Sequence, residues 1–193
     1  LIANADVIII SPGIDGAIDE IAQHISADCS VMGDVELFCP QVNLSSALTK
    51  LLMSIESLQQ TKNTILMCEI DFPSMGFAIQ SALNDKCHIQ FIPASEDITQ
   101  STTWEKYLTT EIDLVFISHA YSNTGQVSPV ADIVEICTAN NILSILDVAQ
   151  SAAIVPLDLS TASPDFMIGS SVKWLCGGPG AAYLWVNKKQ LEQ

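Results

Sequence analysis

The sequence predicts an α/β protein, a three-layer α/β/α domain around a mostly parallel sheet. Three observations carry that expectation. Strand-like and helix-like patterns alternate along nearly the whole chain, which requires crossover connections between parallel strands. The strand-like stretches are continuous apolar, β-branched runs, such as Asp113-Leu-Val-Phe-Ile-Ser and Leu143-Ser-Ile-Leu-Asp, the pattern of buried strands. Hydrophobic residues make up 49% of 193 residues and the mean hydropathy is +0.36, ample for the core of one domain.

In order, Ala5-Asp-Val-Ile-Ile-Ile reads as a strand and Ser11-Pro-Gly as its turn. Residues 15–25 have helical spacing, and 30–38 read as a strand running into a turn. From Asn43 to Ile55, apolar residues at 44, 47, 48, 51, 52 and 55 predict a helix. Its start is rich in small polar residues and leaves backbone N–H groups free, an anion site in principle. Thr64–Cys68 is the next strand, and Pro73 suits an early helical position. A helix over 75–83, a strand at 88–93, a short helix over 102–108 and a strand over 113–118 follow. Residues 118–126 form a polar loop containing Gly125. A helix over 129–140 precedes the strand ending at Asp147, and Ala181–Val186 closes the sheet.

Composition removes several functions. A net charge of −15 argues against nucleic acid or an anionic membrane as partner. No apolar run reaches the roughly 18 residues of a membrane span, and the opening residues lack the basic region of a signal peptide. The six cysteines show no CxxC pairing and read as reduced, mostly buried thiols of a cytoplasmic protein. The three histidines lack metal-ligand spacing.

The chemistry converges on two residues. The chain has seven Lys+Arg, all of them lysines. Lys173 stands in Gly169-Ser-Ser-Val-Lys-Trp-Leu-Cys-Gly-Gly-Pro-Gly180, after an apolar run and before Trp174-Leu175. Such surroundings predict a partly desolvated amine with a lowered pKa, a better nucleophile. Asp147 ends an apolar strand, where a parallel sheet presents ligand-facing side chains. A lysine for a Schiff base and a carboxylate for a pyridinium nitrogen are what pyridoxal phosphate (PLP) requires of a protein.

Further motifs complete the pattern. They are Phe72-Pro-Ser, Ser118-His-Ala-Tyr-Ser-Asn-Thr-Gly-Gln, Asp147-Val-Ala-Gln-Ser, Val155-Pro-Leu-Asp-Leu, Pro164-Asp-Phe and Ser171-Val-Lys-Trp-Leu with Gly177-Gly-Pro-Gly. In order and spacing, residues 42–193 resemble the PLP-transferase-like large domain of class V, fold-type I PLP enzymes, the kynureninases, cysteine desulfurases and their epimerase-like relatives. The resemblance implies an amino-acid-transforming enzyme (transaminase, desulfurase or kynureninase-like) that carries its cofactor on Lys173, with Asp147 holding the ring nitrogen protonated. It implies ring stacking by Phe72, and phosphate contacts from Val42, Asn43 and Ser45 and from Ser170 and Ser171. Ser118, Asn123 and Thr124 would contact the cofactor face, and Gln150 its phenolic oxygen. It also implies a small-molecule amino-acid substrate, a homodimer, and a substrate-binding arginine in a small domain beyond residue 193.

Three positions depart from kynureninases: Met75 stands where they carry Asp, Gln150 where they carry His, and Val172 where they carry Tyr. Gln150 matches the desulfurases. Residues 1–41 resemble a different family, the N-terminal domain of the Mur ligases that add D-glutamate, through Ala5-Asp-Val-Ile-Ile-Ile-Ser-Pro-Gly-Ile-Asp and Gly33-Asp-Val-Glu-Leu-Phe-Cys. No phosphate-cradling GxxGKS/T loop follows. This places a junction near 39–44 and leaves two other readings open: a recombined or engineered α/β fragment without catalytic activity, and a fragment binding a UDP-precursor.

Overall fold

The computed structural model describes residues 7–10, 30–33, 43–178 and 180–191. The chain divides into two units, Leu1–Val42 and Asn43–Gln193. In the first, β1 (Val7–Ile10) and β2 (Ser30–Gly33) pair in parallel with Val7 opposite Ser30. The helix expected over 15–25, the turn at Ser11 and nearly all of the Gly33–Cys39 motif lie outside the described residues, as do Val42, Cys29 and Cys39.

In the second unit, six described strands form one sheet in the order β4-β3-β5-β6-β7-β8. They are β3 (Asn63–Cys68), β4 (Cys87–Ile92), β5 (Leu114–Ser118), β6 (Leu143–Asp147), β7 (Phe166–Ser170) and β8 (Ala182–Val186). All pair in parallel except β7 with β8. The helices are α1 (Leu44–Ser54), α2 (Glu56–Gln60), α3 (Pro73–Leu83), α4 (Ser101–Tyr107) and α5 (Val130–Asn140). Pro73 takes the first turn of α3, where a missing N–H costs nothing. Asn141 ends α5 in the left-handed conformation, its N–H reaching back to Cys137 and Thr138, and β6 begins two residues later.

Two cores make the three layers. Alternation along each strand sends Ile65, Met67, Leu114, Phe116, Ile145, Phe166 and Ile168 to one face, against Leu48, Leu51 and Leu52 of α1 and Met75, Ile79 and Leu83 of α3. The other face carries Leu66, Cys68, Val115, Ile117 and Leu146 against Trp104 of α4 and Ile133, Val134 and Cys137 of α5. Trp104 is fully buried and its indole N–H is satisfied by the Ile98 carbonyl. The three-layer α/β/α architecture and mostly parallel sheet expected from the sequence are therefore present. The short helix α2 was not foreseen; five residues with one buried side chain, Leu58, leave no periodicity to read. No described helix is long and apolar enough to cross a membrane.

Candidate functional site

The strand order reverses at β3: β4 lies on one side and β5 on the other. Open α/β sheets bind ligands at such a switch point, beyond the carboxyl ends of the strands. Here β3 and β5 share only the pairs Ile65↔Leu114 and Leu66↔Val115. By contrast β5 and β6 stay paired to their last residues, with Ser118 opposite Asp147. A cavity of about 280 Å³ sits at these ends.

Its lining brings together residues far apart in sequence. Asn43 and Ser45 come from the start of α1, Phe72 from the turn before α3, and Ser118 and Asp147 from β5 and β6. Gln150 follows β6, Ser170 ends β7, and Lys173 follows it. Asp147 is buried, and among the described residues the one hydrogen-bond donor to its carboxylate is the Ala149 amide at 2.8 Å. The described ion pairs, Glu96–Lys106 and Asp165–Lys189, involve other residues. Burial pushes the Asp147 carboxyl up to about 7, opposed by the Ala149 N–H and reinforced by the charge of Asp71. A buried carboxylate without a cation is costly, so this cavity favours a ligand that brings positive charge to Asp147.

The opposite end of the lining suits an anion. The Asn43 side chain caps α1 by accepting the Ser46 N–H at 2.8 Å. The helix has eleven residues with no acidic residue in its first turn, and its first two residues, Leu44 and Ser45, line the cavity. The Ser45 hydroxyl lies 3.4 Å from that of Ser74. Phe72 is 58% exposed, so it stands at the mouth as an uncovered aromatic face and not as a core residue.

Several expectations need correction. Lys173 is exposed, and so are Val172, Trp174 and Leu175. The apolar neighbours were expected to bury it, but they belong to a loop between β7 and β8 that stands clear of both cores. Asn123, Thr124 and Ser171 are not part of the lining. The Asn123 amide reaches the Ile70 carbonyl at 3.3 Å. The Thr124 hydroxyl accepts the Gln126 N–H in a turn closed by Gly125 at φ +73°. The Ser171 hydroxyl turns to the Ala181 carbonyl at the base of its own loop. Cys68 and Cys137 are buried, but Cys176 is exposed.

One functional neighbour was overlooked. Asp71, in the turn after β3, is buried and holds the Ser118 hydroxyl at 2.6 Å and the Cys68 N–H at 2.7 Å. Burial pushes its carboxyl up to about 6, against the effect of both hydrogen bonds. The available signal was its place shortly after an apolar strand. Behind it, the Tyr121 hydroxyl donates to Cys68 Sγ at 3.1 Å, and burial raises that thiol to about 12. On the other side, the Tyr183 ring lies over Gly169 so closely that a Cβ there would meet it at 2.2 Å.

The family model for aminotransferase class-V matches residues 43–193. The aminotransferase YcbU of Bacillus subtilis (strain 168), itself uncharacterized, is 25% identical over 147 residues, 76% of this chain and 39% of that protein. Kynureninase of Pseudomonas fluorescens is 24% identical over 151 residues, 76% of this chain and 35% of that protein. A solved structure of C-DES, a mutant with glycine covalently linked to the PLP cofactor, superposes with a TM-score of 0.70 at 24% identity. It covers 78% of this chain and 40% of that one, and supports the fold. The chain thus spans about two fifths of the length of the proteins it matches. These comparisons lend no support to a fused, ligase-like origin for residues 1–41.

Proposed function

The chain belongs to the aminotransferase class-V family, and from that premise we propose that it binds PLP in this cavity as part of an enzyme acting on a small amino acid. The observation that carries the reading is the pairing, in one lining, of a buried carboxylate lacking a cation with the cavity's single lysine, Lys173. The donor set fits the cofactor. Asp147 would hold a protonated ring nitrogen, the amides and hydroxyls at the start of α1 with Ser170 would hold the phosphate, and Phe72 would cover the ring. Gln150 would meet the phenolic oxygen.

Bound PLP supplies an electron sink for a carbanion at the substrate α-carbon. The chain's own residues do the rest. Asp147 keeps a proton on the ring nitrogen, and its burial strengthens that pairing. Lys173 would supply the amine that holds the cofactor, and would then move a proton at the substrate α-carbon. An exposed amine on a loop is free to leave one partner and approach another.

Among reaction types, Gln150 supports a desulfurase-like assignment and Met75 weakens a kynureninase-like one, while Val172 matches neither the Tyr of kynureninases nor the His frequent in desulfurases. The homodimer is supported by the exposed apolar side chains in the cavity lining, Phe72 and Val172, and by the exposed Trp174 two residues beyond. A cytoplasmic location is supported by the free thiols of the four described cysteines.

The test is direct. Protein mixed with PLP is reduced with borohydride, digested and mapped by mass spectrometry. The pyridoxyl mass is expected on Lys173 and absent from Lys173→Ala. Labelling spread over the surface lysines, unchanged in that variant, would remove the cofactor reading.

A further inference from the structure

The PLP reading accounts for Asp147 but leaves unexplained a second buried carboxylate, outside the lining and bonded to the Ser118 hydroxyl. Asp71 spans the crevice at the switch point. Its Oδ2 accepts the Cys68 N–H from the end of β3, and its Oδ1 accepts the Ser118 hydroxyl from the end of β5. A serine hydroxyl has one proton. With that proton committed at 2.6 Å to a carboxylate, a short charge-assisted bond, Ser118 Oγ offers the cavity lone pairs alone. Ser118 is the register partner of Asp147, whose carboxylate is also an acceptor.

We propose that Asp71 is a positioning residue. By taking the Ser118 proton across the β3–β5 crevice, it makes the wall beside Asp147 accept hydrogen bonds without donating any, and so selects a ligand edge carrying a positively charged N–H. The inference rests on the PLP reading and deepens it. The titratable groups facing Asp71 are the Cys68 thiol, the Tyr121 hydroxyl and Asp147, and those facing Asp147 are Asp71 and Tyr183. None of these is a cation. His119, next in the chain to Ser118, turns its Nδ1 to the Ser151 hydroxyl at 2.9 Å.

The competing account is that Asp71 merely caps the turn after β3. Asp71→Asn separates the two. The asparagine carbonyl keeps the Cys68 N–H, so the cap survives. Its NH2 group donates to Ser118 Oγ, which releases the serine proton toward the cavity and reverses the polarity of the wall. Dissociation constants are measured by absorbance titration for PLP and for its carbocyclic analogue, in which a CH replaces the ring nitrogen.

Asp71→Asn is expected to weaken PLP about tenfold while leaving the analogue within about twofold of the parent and the ligand-free protein melting no lower than the parent. Ser118→Ala serves if the asparagine variant does not fold. It should weaken PLP severalfold and spare the analogue. Equal affinity of parent and variants for PLP, or an equal loss for both ligands, makes Asp71 a turn cap and overturns the inference while the PLP reading stands. A parent that binds neither ligand defeats the PLP reading, and this inference with it.

Discussion

The two halves of the site are built from opposite materials. Asp147 and Ser118 end paired strands, are buried, and are fixed by register and backbone hydrogen bonds. Lys173 rides on a loop whose residues from 172 to 178 are exposed, tied to itself by Gly177 N–H to the Ser171 carbonyl and Cys176 N–H to the Lys173 carbonyl. Under the proposed function, the group that would hold a proton still is set in the buried, paired part, and the group that would change partners is set in the exposed loop.

The largest expected effect breaks the amine side alone. Lys173→Ala should abolish the borohydride-stable label while shifting the unfolding free energy by less than about 0.5 kcal/mol, as for an exposed site. A large loss of stability in urea would mean that the loop belongs to the rigid half after all.

Asp147→Asn should do the reverse. PLP affinity is expected to fall on the order of a hundredfold, since removing one partner of a buried ion pair costs roughly 3 kcal/mol. The ligand-free protein should gain about 1 kcal/mol at pH 8, because an uncompensated buried charge is gone. A variant that loses both affinity and stability would show that Asp147 is structural.

Gly169→Ala sharpens where rigidity ends. The Tyr183 ring occupies the space a Cβ would need, so the variant should lose about 2 kcal/mol in denaturant unfolding. Unchanged stability would place the Gly169–Tyr183 pair with the compliant region.

A further expectation concerns pH dependence. Burial raises Asp71 to about 6 and Asp147 to about 7, from 3.8 for both. Over that window the folded ligand-free protein binds more protons than the unfolded chain. These two groups therefore make stability fall as pH rises from about 4 to about 7, and add no slope above it. Asp71→Asn should flatten the lower part of the decline, measured as denaturation midpoints across pH.

Much of this was legible in the sequence. The apolar runs ending at Ser118 and Asp147 gave the strands, because a strand covered on both faces has almost no polar positions to blur it. The convergence of Asp147 with Lys173 was legible through spacing of motifs. The exposure of Lys173 was not, since apolar neighbours in sequence bury a residue only when the segment itself reaches a core, and Val172, Trp174 and Leu175 do not. Asp71 was not legible as part of the site because its importance comes from strand order: only when β5 lies beside β3 does a turn residue meet Ser118.

The Lys173 loop is also the tip of a hairpin. β7 and β8 are the one antiparallel pair among the described strands of their sheet, closed by Ser170 opposite Ala182 and by Ser171 N–H to the Ala181 carbonyl. A tip of that kind accepts insertions and deletions without altering the ladder beneath it. Under the proposed function, the length of this loop would set how far the Lys173 amine reaches toward Asp147, with the ladder beneath it left as it is.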